Sequence, residues 1–375
     1  MARLGDVGKI ITGNTPNTSD EKNYESNDIC FIKPSDISDS EVTRLSSSEF
    51  HISGYARKKA RILPPRSVLV TCIGIIGKVA INAIECAFNQ QINAIIPDES
   101  KCTSEYLAYE ILYKQDELRI IANSPVVPII NKTQFSDIEV RLPLISEQRR
   151  VTNKLKKVDM LLSLRKQQLA KLDELVKSRF VELFGDKRYP EDTLLNLCNI
   201  IDYRGKTPEK VESGLPFITA KNVRMHQMNL EPREYISKET YDKVMVRGFP
   251  REGDVVFTTE APLGNVCRIP HFDTEFYIGQ RIVTMQTEKL EPIYLEYALS
   301  SDDFKTKYMG KSSGSTVTGI RVRLLEQLTI PVPPRELQNR FAAFVEQTDK
   351  SKLAVKQTIE KLETLKKSLM QQYFG

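Results

Sequence analysis

The chain closes on nearly the same nine residues twice. KSRFVELFG ends at Gly185 and KSLMQQYFG at Gly375, so that Lys177, Ser178, Phe184 and Gly185 recur as Lys367, Ser368, Phe374 and Gly375 at one offset of 190. That period is far longer than the roughly 20–50 residues of a solenoid unit, so it predicts a chain built as two halves. From Ile138 to Gly185 the second copy, Leu328 to Gly375, aligns without a gap. Its identities include Pro143/Pro333, Gln148/Gln338, Arg150/Arg340, Asp159/Asp349, Lys171/Lys361, Leu172/Leu362 and Leu175/Leu365. Upstream the likeness loosens but keeps its order. GNTP (13–16) answers GKTP (205–208), CFIKPSDI (30–37) answers PFITAKNV (216–223), and LPPRSVLVTCIGIIGKVAI (63–81) answers FPREGDVVFTTEAPLGNVC (249–267). Each half reads as a variable globular block followed by a better-matched helical block.

The helical blocks follow proline-bearing leads, RLPLIS and PVPPRE, which disfavour helix before them and suit a helix start; Ser146 is the expected N-cap of the first. In the first copy an apolar frame runs at four-three spacing through Val151, Leu155, Val158, Leu162, Arg165, Leu169, Leu172, Val176, Arg179 and Leu183. The second copy in the same frame is Phe341, Val345, Thr348, Lys352, Val355, Ile359, Leu362, Lys366, Leu369 and Tyr373. Sustained four-three spacing is the coiled-coil pattern. Neither 147–184 nor 336–374 contains Pro or Gly. Each helix can therefore reach about 39 residues, roughly 58 Å at ~1.5 Å per residue. A helix of that length is too long for one small domain to cover, so the expected outcome is an antiparallel pair within the chain. The competing arrangement is two separate amphipathic helices, each docked on its own domain.

The globular blocks read as mixed α/β with much strand. SVLVTCIG and DVVFTTEA are β-rich runs entering Gly- or Pro-bearing turns; AFNQQINAIIP and YIGQRIVTMQT are strand candidates with a polar pair at the same place. TSEYLAYEILYKQDELRIIA and EPIYLEYALSSDDFKTKYM read as helices. Without regular β-α alternation a doubly wound sheet is not expected, and the fold class is α+β.

Charge is uneven along the chain. The formal net charge of +5 is too mild to establish a nucleic-acid partner. Residues 1–145 and 189–334 are each net −2, whereas 146–188 carry +6 and 335–375 carry +3, so the positive excess lies in the two segments that repeat best. No run of 18 apolar residues occurs and the N-terminus, MARLGDVGKI, has no apolar leader, which makes a membrane span unexpected and a cytoplasmic location the default. The six cysteines form no C-x-x-C pair and there are only three histidines, so no zinc pattern assembles; reduced, mostly buried thiols are expected.

Catalytic motifs are missing. GKT at 205–207 and GKS at 310–312 lack the first glycine of a P-loop, since Ile200 and Lys305 stand there. IGIIGKVA has too few glycines for a dinucleotide loop, and no Asn/Asp-Pro-Pro-aromatic tetrad of an amino-methyltransferase occurs (NSPVVP at 123–128 does not qualify). PDESK (97–101) compresses the carboxylates of a metal-dependent nuclease into one loop, and His51, His226 and His271 have no triad partners. These absences favour a non-enzyme.

A duplex offers equivalent surfaces on sites along its length, and a protein made of two similar but diverged halves suits two unlike short sequences held at a set spacing. The organisation of two variable blocks alternating with two helical repeats, the leads RLPLISEQRRV and IPVPPRELQNRF, and the endings LFG and YFG resemble the specificity subunit of a type I restriction-modification complex over nearly the whole chain. The second copy departs from the Glu-Gln pattern, with Leu337 where the first has Glu147. The resemblance implies target-recognition domains at 1–145 and 189–334, and a central (146–188) and a C-terminal (335–375) helical region forming an antiparallel intramolecular coiled coil of pseudo-two-fold form. It implies double-stranded DNA, two adenine-N6 methyltransferase subunits and restriction/translocase subunits as partners. S-adenosylmethionine, ATP and Mg²⁺ would belong to those partners, with no cofactor, metal or catalytic residue in this chain. Candidate DNA-contacting side chains stand at matching places: Lys33, Ser35 and Asp36 against Thr219, Lys221 and Asn222; Thr71 against Thr258 and Thr259; Lys78 against Asn265; Gln90 and Gln91 against Gln280 and Arg281. Arg57, Lys58, Lys59 and Arg61 form a basic run suited to phosphate. The rival classes are a coiled-coil scaffold without nucleic acid and an unrecognised nuclease.

Overall fold

The computed structural model describes residues 1–122, 127–185, 189–203, 208–279, 281–314 and 318–375. Internal contacts divide the chain into two units, Met1–Lys166 with Gln357–Gly375, and Gln167–Lys356.

In the first unit a five-stranded sheet runs in the order Gly8–Thr12, Ile92–Pro97, Val68–Thr71, Val79–Asn82, Thr43–Leu45. A four-stranded sheet of Phe50–Ile52, Ile29–Ile32, Cys86–Phe88 and Ile62–Leu63 lies against it. All four residues of Val68–Thr71 are buried because both faces are covered. Val68 and Val70 pack toward the helix Ser104–Tyr113 with Tyr106 and Leu107, while Leu69 packs with Ile32, Leu63 and Phe88 of the second sheet. A strand covered on both faces reads as a continuous apolar run, as VLV does here, instead of alternating.

The second unit repeats this plan. Its main sheet is Asn199–Asp202, Ile282–Gln286, Val255–Thr258, Val266–Arg268, the same order without the outer strand, and the second sheet is Tyr235–Ile236, Leu215–Ile218, Tyr277–Ile278. Both second sheets contain one parallel pair: Ile29–Ile32 with Cys86–Phe88, and Leu215–Ile218 with Tyr277–Ile278. The strand candidates AFNQQINAIIP and YIGQRIVTMQT are each broken at their polar pair, so that one piece joins the second sheet and the other the main sheet. The helical stretches are likewise divided, into Ser104–Tyr113 and Gln115–Ile121, and into Pro292–Ser300 and Asp302–Met309.

The long helices span Ile145–Phe184 and Arg335–Phe374, 40 residues each, starting just after Pro143 and Pro334. The first begins one residue ahead of Ser146, which therefore sits in the first turn and does not cap it. None of the twenty residues of the four-three frame is exposed. Apolar residues off the frame, such as Met160, Leu164 and Leu353, are. The pairing is antiparallel in each unit. In the first, Asp159 meets Lys366 at 2.8 Å and Lys154 meets the Tyr373 hydroxyl at 2.9 Å. In the second, Asp173 meets Lys352 at 2.7 Å and Phe180 packs on Phe341 with ring centroids 5.4 Å apart.

The repeated Gln ties each helix start to its domain. Gln148 is fully buried; its Oε1 accepts from Thr103 N at 2.9 Å and its Nε2 donates to the Lys101 and Pro143 carbonyls, each at 2.9 Å. Gln338 does the same with Glu291 N and the Pro333 carbonyl, both at 2.8 Å. The repeated Phe closes each helix on a tyrosine of the domain: Phe374 on Tyr106 at 5.3 Å and Phe184 on Tyr294 at 4.9 Å between centroids. The doubled ending is thus the part of each helix that seats on a domain helix.

Candidate nucleic-acid interface

In the first unit, one edge gathers the ends of several strands. Thr12 leads into Gly13 and Asn14, whose amides donate to the Ile92 and Phe88 carbonyls at 3.0 Å each. Asn89 N donates to Ile32 O at 3.1 Å, and Cys72 N to Gln91 O at 2.7 Å. Lys33, Ser35, Lys78, Gln90 and Gln91 therefore share this edge. Arg61 joins them, its amide held by Asn14 Oδ1 at 2.8 Å and its guanidinium donating to the Thr12 carbonyl. Lys78 Nζ reaches the Pro34 carbonyl at 3.5 Å, Lys33 Nζ lies 3.0 Å over the Phe50 ring, and Gln90 Oε1 accepts from the Thr15 hydroxyl at 2.6 Å.

The basic run does not form one patch. Gly54–Lys58 is a 3₁₀ turn, which spreads successive side chains around its axis. Arg57 turns to Glu85 at 2.6 Å, at the opposite end of the strand Cys86–Phe88 from Gln90. Lys59 Nζ binds Asp20 at 2.7 Å and Asn23 at 3.2 Å and lies 3.9 Å over Tyr55, while Lys58 is exposed with no partner among the described residues. Its hydrogen bond to Lys59 holds the Asp20 carboxyl below the usual carboxylate range. Exposed pairs of this kind are weakly held, so phosphate can displace the carboxylates at little cost.

Among the described residues the second unit repeats the turn at this edge bond for bond. Thr71 N donates to Lys78 O at 3.0 Å, Lys78 N to Thr71 Oγ1 at 3.0 Å and Gly77 N to Thr71 O at 2.9 Å. The counterparts are Thr258 N to Asn265 O and Asn265 N to Thr258 Oγ1, both 2.8 Å, and Gly264 N to Thr258 O at 2.9 Å. Both glycines have positive φ, +83° at Gly77 and +93° at Gly264, which the turn requires and a side chain would resist. Thr259 N donates to Arg281 O at 2.8 Å, as Cys72 N does to Gln91 O. Asp36 Oδ2 accepts from Lys33 N at 2.7 Å, and Asn222 Oδ1 accepts from Thr219 N at 2.9 Å.

This geometry removes four residues from the contact set. Thr71, Thr258, Thr259 and Asn222 are buried; the first two use their hydroxyls to close the turn, Thr259 is held through its backbone, and Asn222 donates to the Asn229 and Pro232 carbonyls. They shape loops and have no surface to offer a base. At the same edge the exposed or half-buried side chains differ between units: Lys33 against Thr219, Ser35 against Lys221, Lys78 against Asn265, Gln91 against Arg281. Arg281 is held by Glu260 at 2.8 Å, and Asn265 Nδ2 donates to Val223 O at 2.9 Å. Lys221 is exposed and unpaired among the described residues. Gln280 lies outside the described residues. Sequence reasoning passed over Asn14, Thr15, Phe50 and Glu260, which orient the contact candidates; only the GNTP/GKTP repeat signalled the first two.

Burial pushes the thiols of Cys72, Cys86, Cys102, Cys198 and Cys267 up to about 12, so they are poor nucleophiles. Among the described residues no cluster of three or more His, Cys, Asp or Glu is arranged to hold a metal ion, and no helix is long and apolar enough to cross a membrane.

Two copies of one loop-presenting domain, each locked to an antiparallel helix pair, define a duplicated recognition scaffold. The family model described as the type I restriction modification DNA specificity domain matches residues 1–174 and again 192–364, and the chain belongs to that family of specificity subunits, whose role is DNA sequence recognition. It is 24% identical to the type I restriction enzyme MjaIX specificity subunit of Methanocaldococcus jannaschii, over 92% of this chain and 85% of the relative. It is 31% identical to the HindI specificity subunit of Haemophilus influenzae over 38% of this chain and 31% of that one. Among solved structures the type I S subunit from M. genitalium superposes with a TM-score of 0.59 at 13% identity, covering 98% of this chain and 94% of the other. A chain from a study of type I system assembly and conformational transition gives 0.61 at 20% identity, covering 100% and 96%. These likenesses show that the fold is shared.

Proposed function

We propose that each unit reads one half of a split, asymmetric DNA site, through the loop edge that carries Lys33, Ser35, Arg61, Lys78, Gln90 and Gln91 in the first unit and Thr219, Lys221, Asn265 and Arg281 in the second. The observation that carries this reading is the pair of loop edges with matching backbone bonds and unlike side chains. Equal frames with unequal fingers suit two different half-sites. The recognition domains are 1–145 and 189–334, and the regions 146–188 and 335–375 set the spacer and dock two adenine-N6 methyltransferase subunits. A 40-residue helix is about 60 Å long against a DNA turn of ~34 Å, so a ruler of this kind suits a spacer of a turn or so. Restriction/translocase subunits complete the complex, and S-adenosylmethionine, ATP and Mg²⁺ serve those partners in the cytoplasm. This chain positions the catalysts and catalyses nothing itself. Exchanging residues 1–145 for the same block of a relative, within the reconstituted complex, is expected to change one half of the recognised sequence and leave the other intact. A change in both halves defeats the modular reading.

A further inference from the structure

The two units part company where the repeat would have them alike. In the first unit Phe374 is covered by two rings from the helix Ser104–Tyr113: Tyr106 at 5.3 Å and Tyr113 at 6.1 Å between centroids. The Tyr113 hydroxyl bonds Gln371 Oε1 at 2.7 Å, and Leu112 fills the same core. In the second unit Tyr294 takes the part of Tyr106 against Phe184. The rest of the cover over Phe184 comes from Phe180, Tyr189 and Phe341, at 5.0, 6.4 and 5.7 Å between centroids, and the second ring of the domain helix has no counterpart. The helix Pro292–Ser300 stops a residue short of its equivalent, and Ser301 N-caps the following helix by accepting from Phe304 N at 3.2 Å. Two serines thus stand where the first unit has Leu112 and Tyr113, and Val181 stands where it has Gln371.

The small side chains leave a cleft of about 780 Å³, walled by Phe180, Phe184, Tyr297 and Met225. Val181 and Met225 on its rim are 58% and 45% exposed, so apolar surface is presented at the cleft. The lining carries Glu191, Asp302 and Asp303 against Lys177, and Lys307 bridges Glu191 at 3.0 Å and Asp303 at 3.1 Å, which leaves one carboxylate in excess.

We propose that this cleft is a docking site for an aromatic side chain, flanked by a basic one, presented by a partner protein. The first unit provides the template, because there the same ground is occupied by a ring of the chain itself. Ring walls favour a further ring in edge-on or offset contact at ~4.5–7 Å, and aromatic anchors in such pockets dominate protein interfaces. With Val181 in place of Gln371 the phenol's partner is gone, so the site selects phenylalanine over tyrosine. The excess carboxylate selects a neighbouring arginine or lysine. This site is independent of the DNA-reading edges and does not rest on them.

Titrating the full chain, ¹³C-labelled at the methionine methyls, with N-acetyl-Phe-Arg-amide tests it. The Met225 signal, assigned with Met225→Leu, is expected to shift saturably, and N-acetyl-Ala-Arg-amide to bind at least ten-fold more weakly. Ser300→Phe should fill the cleft and abolish the shift while the thermal melt stays cooperative. Should that variant not fold, Val181→Trp at the exposed rim closes the mouth instead. Absence of a saturable shift, an equal response to the alanine peptide, or undiminished binding by the folded filled variant overturns the proposal. Phenylalanine amide binding as tightly as the dipeptide overturns its peptide occupant.

Discussion

Two glutamines and one glutamate carry consequences that can be measured residue by residue. Replacing Gln148 by Ala strands Thr103 N and the Lys101 and Pro143 carbonyls, whereas Gln338→Ala strands Glu291 N and the Pro333 carbonyl. At ~1–3 kcal/mol per buried group left unpaired, both variants should be clearly destabilised in urea titrations, with Gln148→Ala the worse. Glu110 is fully buried, its Oε2 has no hydrogen-bond partner among the described residues, and burial pushes its carboxyl up to about 7. Its folded-state value lies above the unfolded one near 4.5, so the native protein holds a proton that the unfolded chain releases. The contribution of Glu110 to stability is therefore full below about pH 4.5 and falls as pH rises to about 7, where the loss levels off. Glu110→Gln keeps the acceptor for Arg141 N and should abolish that slope, gaining up to about 3 kcal/mol over the parent at pH 8 and nothing at pH 4.5, at ~1.4 kcal/mol per pKa unit. A parallel pH profile for both proteins would contradict this. Sequence alone could not separate Thr71 and Asn222 from Lys78 and Lys221, because all are polar residues near turns. What divides them is whether the turn uses the side chain for its own closure.

At the scale of elements, the ion pairs between the long helices are not equivalent. Asp159 and Lys366 are 17% and 15% exposed, and Asp159 also accepts from the Tyr109 hydroxyl at 2.5 Å. Asp173 is 62% exposed, and its partner Lys352 keeps Asp349 at 3.5 Å. Asp159→Ala leaves a half-hidden ammonium and a phenol without their acceptor and is expected to cost about 3 kcal/mol, while Asp173→Ala should cost under ~1 kcal/mol. Equal losses in thermal or denaturant unfolding would contradict the burial argument. The helix frame was legible because four-three spacing over about nine turns has one geometric solution, and charged Lys352 and Lys366 keep their places in it through these pairs. The broken strands at Gln90–Gln91 were less legible. An apolar–polar–polar–apolar run suits one long strand as well as two strands joined by a turn, and only the parallel partner Ile29–Ile32 decides between them.

For the whole molecule, the duplication at an offset of 190 was readable from the first and last residues of the repeat, and it returns as matching sheets, turns and helix seats. The division of each long helix between two units was not readable, since it follows from antiparallel pairing and leaves no mark on either helix alone. The missing second ring of the domain helix beside Phe184 was hidden too, because a single shortened helix turn at Ser300 decides it. The central claim is that two unlike readers share one frame. Sequencing N6-methyladenine in DNA modified by the complex assembled on this chain tests that most directly. The account predicts one motif of two different short sequences separated by a fixed run of unspecified bases; a single uninterrupted motif, or two identical halves in palindromic order, would contradict it.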